Sequence, residues 1–186
     1  MDTGRRRLVV AIAAFAALAA WVWPSVARSS TRLDVVVVGA GAVVEARDEI
    51  GRHVREHGQS VEVAAVDPCD LDALEAQLGR APVRIVSWPA ASAESCAESL
   101  AGILARRGAT VVTQDEPLVA GAVDATWLVP PGPGATTTCQ WWEPPAPAAA
   151  IANCDPDGTI TLRDANGALT AAGRDRFARV VAGTLR

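Results

Sequence analysis

The chain has no lysine, no tyrosine and no methionine after Met1, and all 17 of its basic residues are arginine. Without lysine, neither a Schiff-base enzyme nor a P-loop lysine is available. Without tyrosine, phenolic acid–base catalysis is excluded. There is no C-x-x-C pair, and the only histidines, His53 and His57, lie away from the cysteines, so a zinc site is not expected. A net charge of −4 and the lack of a basic stripe argue against a nucleic-acid partner. No metal and no cofactor is expected. What the chain has in quantity is alanine, 38 of its 186 residues. That length favours one domain large enough to bury a core.

The N-terminus reads as an address. Arg5-Arg6-Arg7 precede an apolar run over 8–23, broken by Pro24 and followed by Ser25-Val26-Ala27. A basic flank, an apolar stretch and a small-x-Ala site describe a signal peptide. Trp21 and Trp23 would equally suit the interfacial end of a retained anchor, although the run is short against the roughly 20 residues a relaxed span needs. A buried helix is disfavoured because the run has no polar face. Residues 1–30 are therefore a signal peptide or membrane anchor, and 31–186 an extracytoplasmic domain. That domain carries 13 Arg against 20 acids, a net of −7, which describes a soluble acidic unit and not a polybasic lipid reader.

Four cysteines, Cys69, Cys96, Cys139 and Cys154, in an exported domain imply two disulfides. Three connectivities exist. The preferred one pairs Cys69 with Cys96 and Cys139 with Cys154, the latter closing a proline-rich loop.

Periodicity predicts strands over 33–38, 61–66, 83–87 and 109–113 alternating with helices over 42–57, 70–78 and 92–107. Gly58, Gly79 and Gly108 stop the helices. Cys96, Leu100, Ile103 and Leu104 form the expected buried stripe of the third. The β-α-β-α-β-α-β order predicts an α/β fold, a parallel sheet with helices on both faces. Residues 117–153 are loop-rich and too proline-rich for central sheet. A short strand over 159–163 and a helix over 170–185, capped by Thr170, complete the pattern; Phe177, Val180, Val181 and Leu185 face the core. No repeat or second domain is evident.

Val38-Gly39-Ala40-Gly41 before a helix superficially matches a dinucleotide-binding turn, with Asp67 as a ribose-binding acid. The third glycine position holds Val44, Asp67 comes late, and export removes the cytosolic cofactor pool, so the pair of glycines reads as a plain strand-to-helix turn. His53 and His57 read as two solvated side chains on a charged helix face. Asp115-Glu116, at a C-terminal strand end, are candidates for a cation or sugar contact, or a solvated loop. Trp141-Trp142 can stack on sugar rings, meet a partner, or pack as the loop's own core. Trp88 and Trp127 read as core.

Several stretches in order resemble the SGNH (GDSL-type) hydrolase family in its small secreted bacterial form. Val38-Gly39-Ala40-Gly41-Ala42 stands where that family has Gly-Asp-Ser. Cys69-Asp70-Leu71 resembles the Cys-Asp-Trp/Leu after its second strand. Ile85 to Ala91 stands where the third strand runs into Gly-x-Asn-Asp, and Cys96 falls where secreted members place a cysteine. Cys154-Asp155-Pro156-Asp157-Gly158 through Arg163 matches Cys-x-x-Asp-Gly-x-x-x-x-Arg. Asn166 to Gly173 matches Asp-Gly-x-His-Leu-Thr-x-x-Gly, one residue short. The resemblance spans about 33–186 and implies a three-layer α/β/α sandwich with a mainly parallel sheet.

The departures bear on function. Gly41 replaces the nucleophilic serine, Ala40 its aspartate neighbour, Ala91 the oxyanion asparagine, Asn166 the triad acid and Ala168 the catalytic histidine. Asp67-Pro68 stand where the oxyanion glycine is expected. Acyl transfer needs a nucleophile, a base and oxyanion donors. The resemblance therefore implies a non-catalytic domain that binds or scaffolds an envelope component, a glycan or a membrane protein. The alternatives are an esterase with relocated residues, for which Ser87, Ser92 and Ser95 flank the third turn, and a nucleotide-binding domain. Ser92 is read more simply as a helix cap and Ser95 as surface.

Overall fold

The computed structural model describes residues 33–117, 119–138 and 158–185. The N-terminal run, Trp141, Trp142, Cys139 and Cys154 lie outside them. Among the described residues no helix is long and apolar enough to cross a membrane.

Strands β1 (Val35–Gly39), β2 (Val61–Ala65), β3 (Val83–Ser87), β4 (Thr110–Thr113) and β5 (Val123–Asp124) form one sheet in the order β2-β1-β3-β4-β5. Every pairing is parallel. Four successive β-branched valines make β1 a strand that must be covered on both faces, and Val35 to Val38 are all fully buried. Val35 and Val37 meet α1 (Ala42–Glu45), α2 (Arg47–Glu56) and α6 (Ala171–Gly183) through Val43, Ile50, Val54 and Phe177. Val36 and Val38 meet α3 (Leu71–Leu78) and α5 (Ala97–Arg107) through Leu74, Leu78, Leu100 and Leu104. The result is the expected α/β/α sandwich of three layers. A two-stranded antiparallel sheet, β6 (Thr136–Thr138) with β7 (Thr159–Thr161), stands apart from it.

The helices depart from the sequence reading in two places. The helix expected over 42–57 is broken at Ala46 into α1 and α2. Ala46 O still accepts from Ile50 N at 2.8 Å, so backbone hydrogen bonding continues across the break. The helix expected over 92–107 starts earlier, as α4 (Ala90–Ala93), and passes through a 3-10 turn at Glu94–Cys96 before α5. Ser92 therefore does not cap it: Pro89 holds that position, and Ser92 Oγ donates to Pro89 O at 2.7 Å. Thr170 does cap α6, accepting from Gly173 N at 3.1 Å.

The loop-rich stretch over 117–153 contains β5 at the sheet's edge and β6, both of which sequence reading missed. Trp127, expected in the core, is 59% exposed just beyond that strand. Trp88 is fully buried as expected, and its Nε1 donates to Val66 O at 2.8 Å. Cys69 and Cys96 form a disulfide with a Cα separation of 5.5 Å, tying the loop after β2 to the turn before α5. Cys96 is half-buried, not part of the fully buried stripe of Leu100, Ile103 and Leu104.

Candidate functional site

In an open parallel sheet, ligands bind outside the C-terminal strand ends, where the strand order reverses. Here the reversal falls between β1 and β3, and the chain leaves β1 through Gly39-Ala40-Gly41 and β3 through Ser87-Trp88-Pro89. Both glycines are required. A Cβ on Gly39 would sit 2.0 Å from Ser87 O, because the two strand ends touch there. Gly41 has φ +56 and ψ −121, a conformation that costs a residue with a side chain roughly 1–3 kcal/mol.

The space beside Gly41 is filled from β4. Gln114, next after β4, is 6% exposed, and its Oε1 would lie 2.7 Å from a Cβ on Gly41. Oε1 accepts from Ala42 N at 3.0 Å, while Nε2 donates to Ala40 O at 2.8 Å and to the fully buried Ser87 Oγ at 3.2 Å. One amide thus binds the ends of β1 and β3 and the start of α1. Motif reading passed over it, since its partners lie 27 to 74 positions away.

Three further backbone donors on this edge are also taken by side chains. Asp115 Oδ1 accepts from Ala90 N at 2.9 Å, across the gap to α4, and from Glu116 N at 2.7 Å. Asp67 Oδ1 accepts from Cys69 N at 2.8 Å. An anion site or oxyanion hole needs N–H groups aimed at a ligand. Ala42, Cys69 and Ala90 give theirs to oxygens of the same chain. The Ala42 N–H that a dinucleotide-binding turn would aim at a pyrophosphate is held by Gln114.

The remaining candidate positions fall as follows. Ala91 is exposed on α4, and Glu116 is exposed in the loop beside Asp115. Asn166 and Ala168 are exposed in a turn whose amides both donate to Asp164 Oδ1, at 2.8 and 3.0 Å. That turn meets α1: Leu169 N donates to Glu45 Oε2, one helical turn beyond Gly41. Ser95 Oγ lies 3.3 Å from Cys69 Sγ. Among the described residues, Ser87, Ser92 and Ser95 show no hydrogen bond to a histidine.

His53 is not the solvated side chain that was expected. It is 8% exposed, and its ring lies between two carboxylates, Nδ1 at 3.0 Å from Glu56 Oε2 and Nε2 at 2.9 Å from Asp175 Oδ1. His57 stays exposed and turns back to His53 O, so the two rings do not converge. Asp175 also accepts from Arg52 at 2.6 Å and Arg179 at 2.8 Å, and Arg174 pairs with Glu49 at 3.1 Å. This polar seam joins α2 to α6. Burial pushes the Asp175 carboxyl up, but hydrogen bonds from His53, Arg179 and Arg52 outweigh it and hold the group below its ordinary range. Among the described residues no group of three His, Cys, Asp or Glu side chains is disposed to hold a metal ion.

Comparison of the chain with family models, curated proteins and solved structures gives no match. What stands is a small α/β domain with a five-strand parallel sheet and a closed edge at its switch point.

Proposed function

We propose that residues 31–186 form a non-catalytic relative of the SGNH hydrolases, held outside the cytoplasm, that binds or scaffolds a component of the cell envelope. The observation that carries this reading is Gln114 lodged beside Gly41, where the resemblance calls for a nucleophilic serine. A serine Cβ there would lie 2.7 Å from Gln114 Oε1, so the glutamine would have to shift to admit it. The matching turn offers Asn166 and Ala168, and the Ala42 N–H is already engaged. In a serine protease, losing nucleophile or base alone costs on the order of 10⁶ in turnover. The Cys69–Cys96 disulfide supports an oxidising, extracytoplasmic setting. Trp141 and Trp142 are the candidate contact residues on sequence grounds, and a glycan or membrane protein is the candidate partner. The test is hydrolysis of a small acetyl ester by the purified full chain with its disulfides intact. The expected rate is that of buffer, with no labelling by a serine-reactive phosphonate. Saturable turnover that survives repurification would mean a relocated nucleophile and would overturn the reading.

A further inference from the structure

The acidic surplus of the domain is spread unevenly along the strand axis. Because the large sheet is all parallel, the connections between its strands and helices gather at two opposite edges. At the C-terminal edge, connections 40–41, 66–70, 88–89 and 114–122 carry Asp67, Asp70, Asp115 and Glu116 and no arginine. At the N-terminal edge, connections 57–60, 79–82 and 108–109 carry Arg80 and no carboxylate. Arg84, the second residue of β3, and Arg106 and Arg107, which end α5, adjoin them. Arg55 and Glu56 at the end of α2 offset each other, while Asp34, which accepts hydrogen bonds from Ser60, keeps its negative charge at this edge.

The four arginines form one cluster. Arg84 donates to Leu78 O at 2.6 Å and to Arg107 O at 2.9 Å, joining the ends of α3 and α5. Arg106 and Arg107 share Glu75 at 3.6 and 3.4 Å, and Arg80 pairs with Glu62. With Asp34 at the same strand ends, three carboxylates answer four guanidinium groups, leaving a surplus of one positive charge. Helix-end electrostatics favours Arg106 and Arg107 in a last turn. It does not place Arg80, in a loop, or Arg84, on a strand. Arg80 and Arg106 keep 48% and 65% of their side chains exposed. Leu33 leads into β1 at this same edge, so the chain running back to Trp23 and the apolar segment leaves from beside the basic cluster.

We infer that this edge is a membrane-apposed face, on which Arg80, Arg106 and Arg107 bind the phosphates of an anionic phospholipid surface. A guanidinium meets phosphate through paired, charge-assisted hydrogen bonds. The tether supplies a high effective concentration, so a small surplus is enough to set orientation. At about fivefold per basic residue near an anionic surface, one net charge shifts orientation about fivefold. The acidic edge, with Asp67, Asp115 and Glu116, then faces outward. The net charge of the domain alone argued against lipid contact; its distribution reverses that.

The tether, though not the arginine face, rests on the reading of residues 1–30 as a membrane segment. The full chain is mixed with vesicles of phosphatidylcholine alone or with about one third phosphatidylglycerol, and followed by flotation and by hydrogen exchange with mass spectrometry. The expected result is flotation with both vesicles and protection of 79–84 and 105–109 only with phosphatidylglycerol. Arg80→Gln/Arg106→Gln/Arg107→Gln abolishes that protection and Arg106→Lys/Arg107→Lys largely retains it. If the triple variant does not fold, salt on the unmodified protein serves, since screening removes the protection. Flotation without phosphatidylglycerol-dependent protection, or protection of 66–70 and 114–117 instead, overturns the face and leaves the anchor standing. Flotation only with phosphatidylglycerol, with the expected protection, supports the face and removes the anchor. Flotation with neither overturns both.

Discussion

Replacing Gln114 by alanine tests whether one amide closes the switch point. The change removes three hydrogen bonds, to Ala42 N, Ala40 O and Ser87 Oγ. Ala40 O still accepts from Val43 N at 3.3 Å, so the main losses fall on Ala42 N and Ser87 Oγ. Leaving a buried polar group unpaired costs about 1–3 kcal/mol, and water entering the new space recovers part of it. The expected loss is about 3 kcal/mol, or roughly 6–12 °C in Tm for a chain of this size. Gly41→Ser sharpens the test. It suffers from the positive φ and from a Cβ placed 2.7 Å from Gln114 Oε1. Removing the glutamine relieves only the clash, so the double variant should lose at least about 1 kcal/mol less than the two single losses added together. Urea unfolding of the oxidised full chain, followed by circular dichroism, measures all four species. Additivity within about 0.5 kcal/mol, with Gln114→Ala as stable as the parent, would falsify the filled-site argument. On the non-catalytic reading proposed above, the double variant gains no esterase activity.

Three further outcomes are expected. Cys69→Ala/Cys96→Ala should lose about 3.5 kcal/mol in the same urea assay, the chain-entropy value for a bridge of sequence separation 27. Asp175 has a folded pKa below its unfolded one, so its contribution to stability is complete above the ordinary carboxylate range and is lost as pH falls through the lowered folded value. The acid limb of a stability-against-pH curve should therefore be shallower in Asp175→Asn, and an unchanged limb would contradict the seam between α2 and α6. Thr170→Ala should lose about 1 kcal/mol by thermal melting, since its Oγ1 accepts from Gly173 N at the start of α6.

The layers of the fold were legible because they follow from local pattern. The valine run of β1 demands cover on both faces, and Gly58 and Gly108 end α2 and α5 with positive φ, as such stops require. β5 was not legible, because two residues at an edge carry no period. His53 was misread from its charged neighbours, although its spacing of three from Ile50 already places it beside the buried face of α2. Its partner Asp175, 122 positions away, leaves no trace in a local window. The same limit governed the candidate site. Set against the SGNH resemblance, Gly41 and Ala168 say what a motif would lack, but not whether the space beside them is open. An open edge would leave the Ala42, Cys69 and Ala90 amides facing solvent and ready for a new anion. Gln114, Asp67 and Asp115 occupy all three, so the edge satisfies these donors with its own side chains, and the partners that do so lie 2 to 72 positions away.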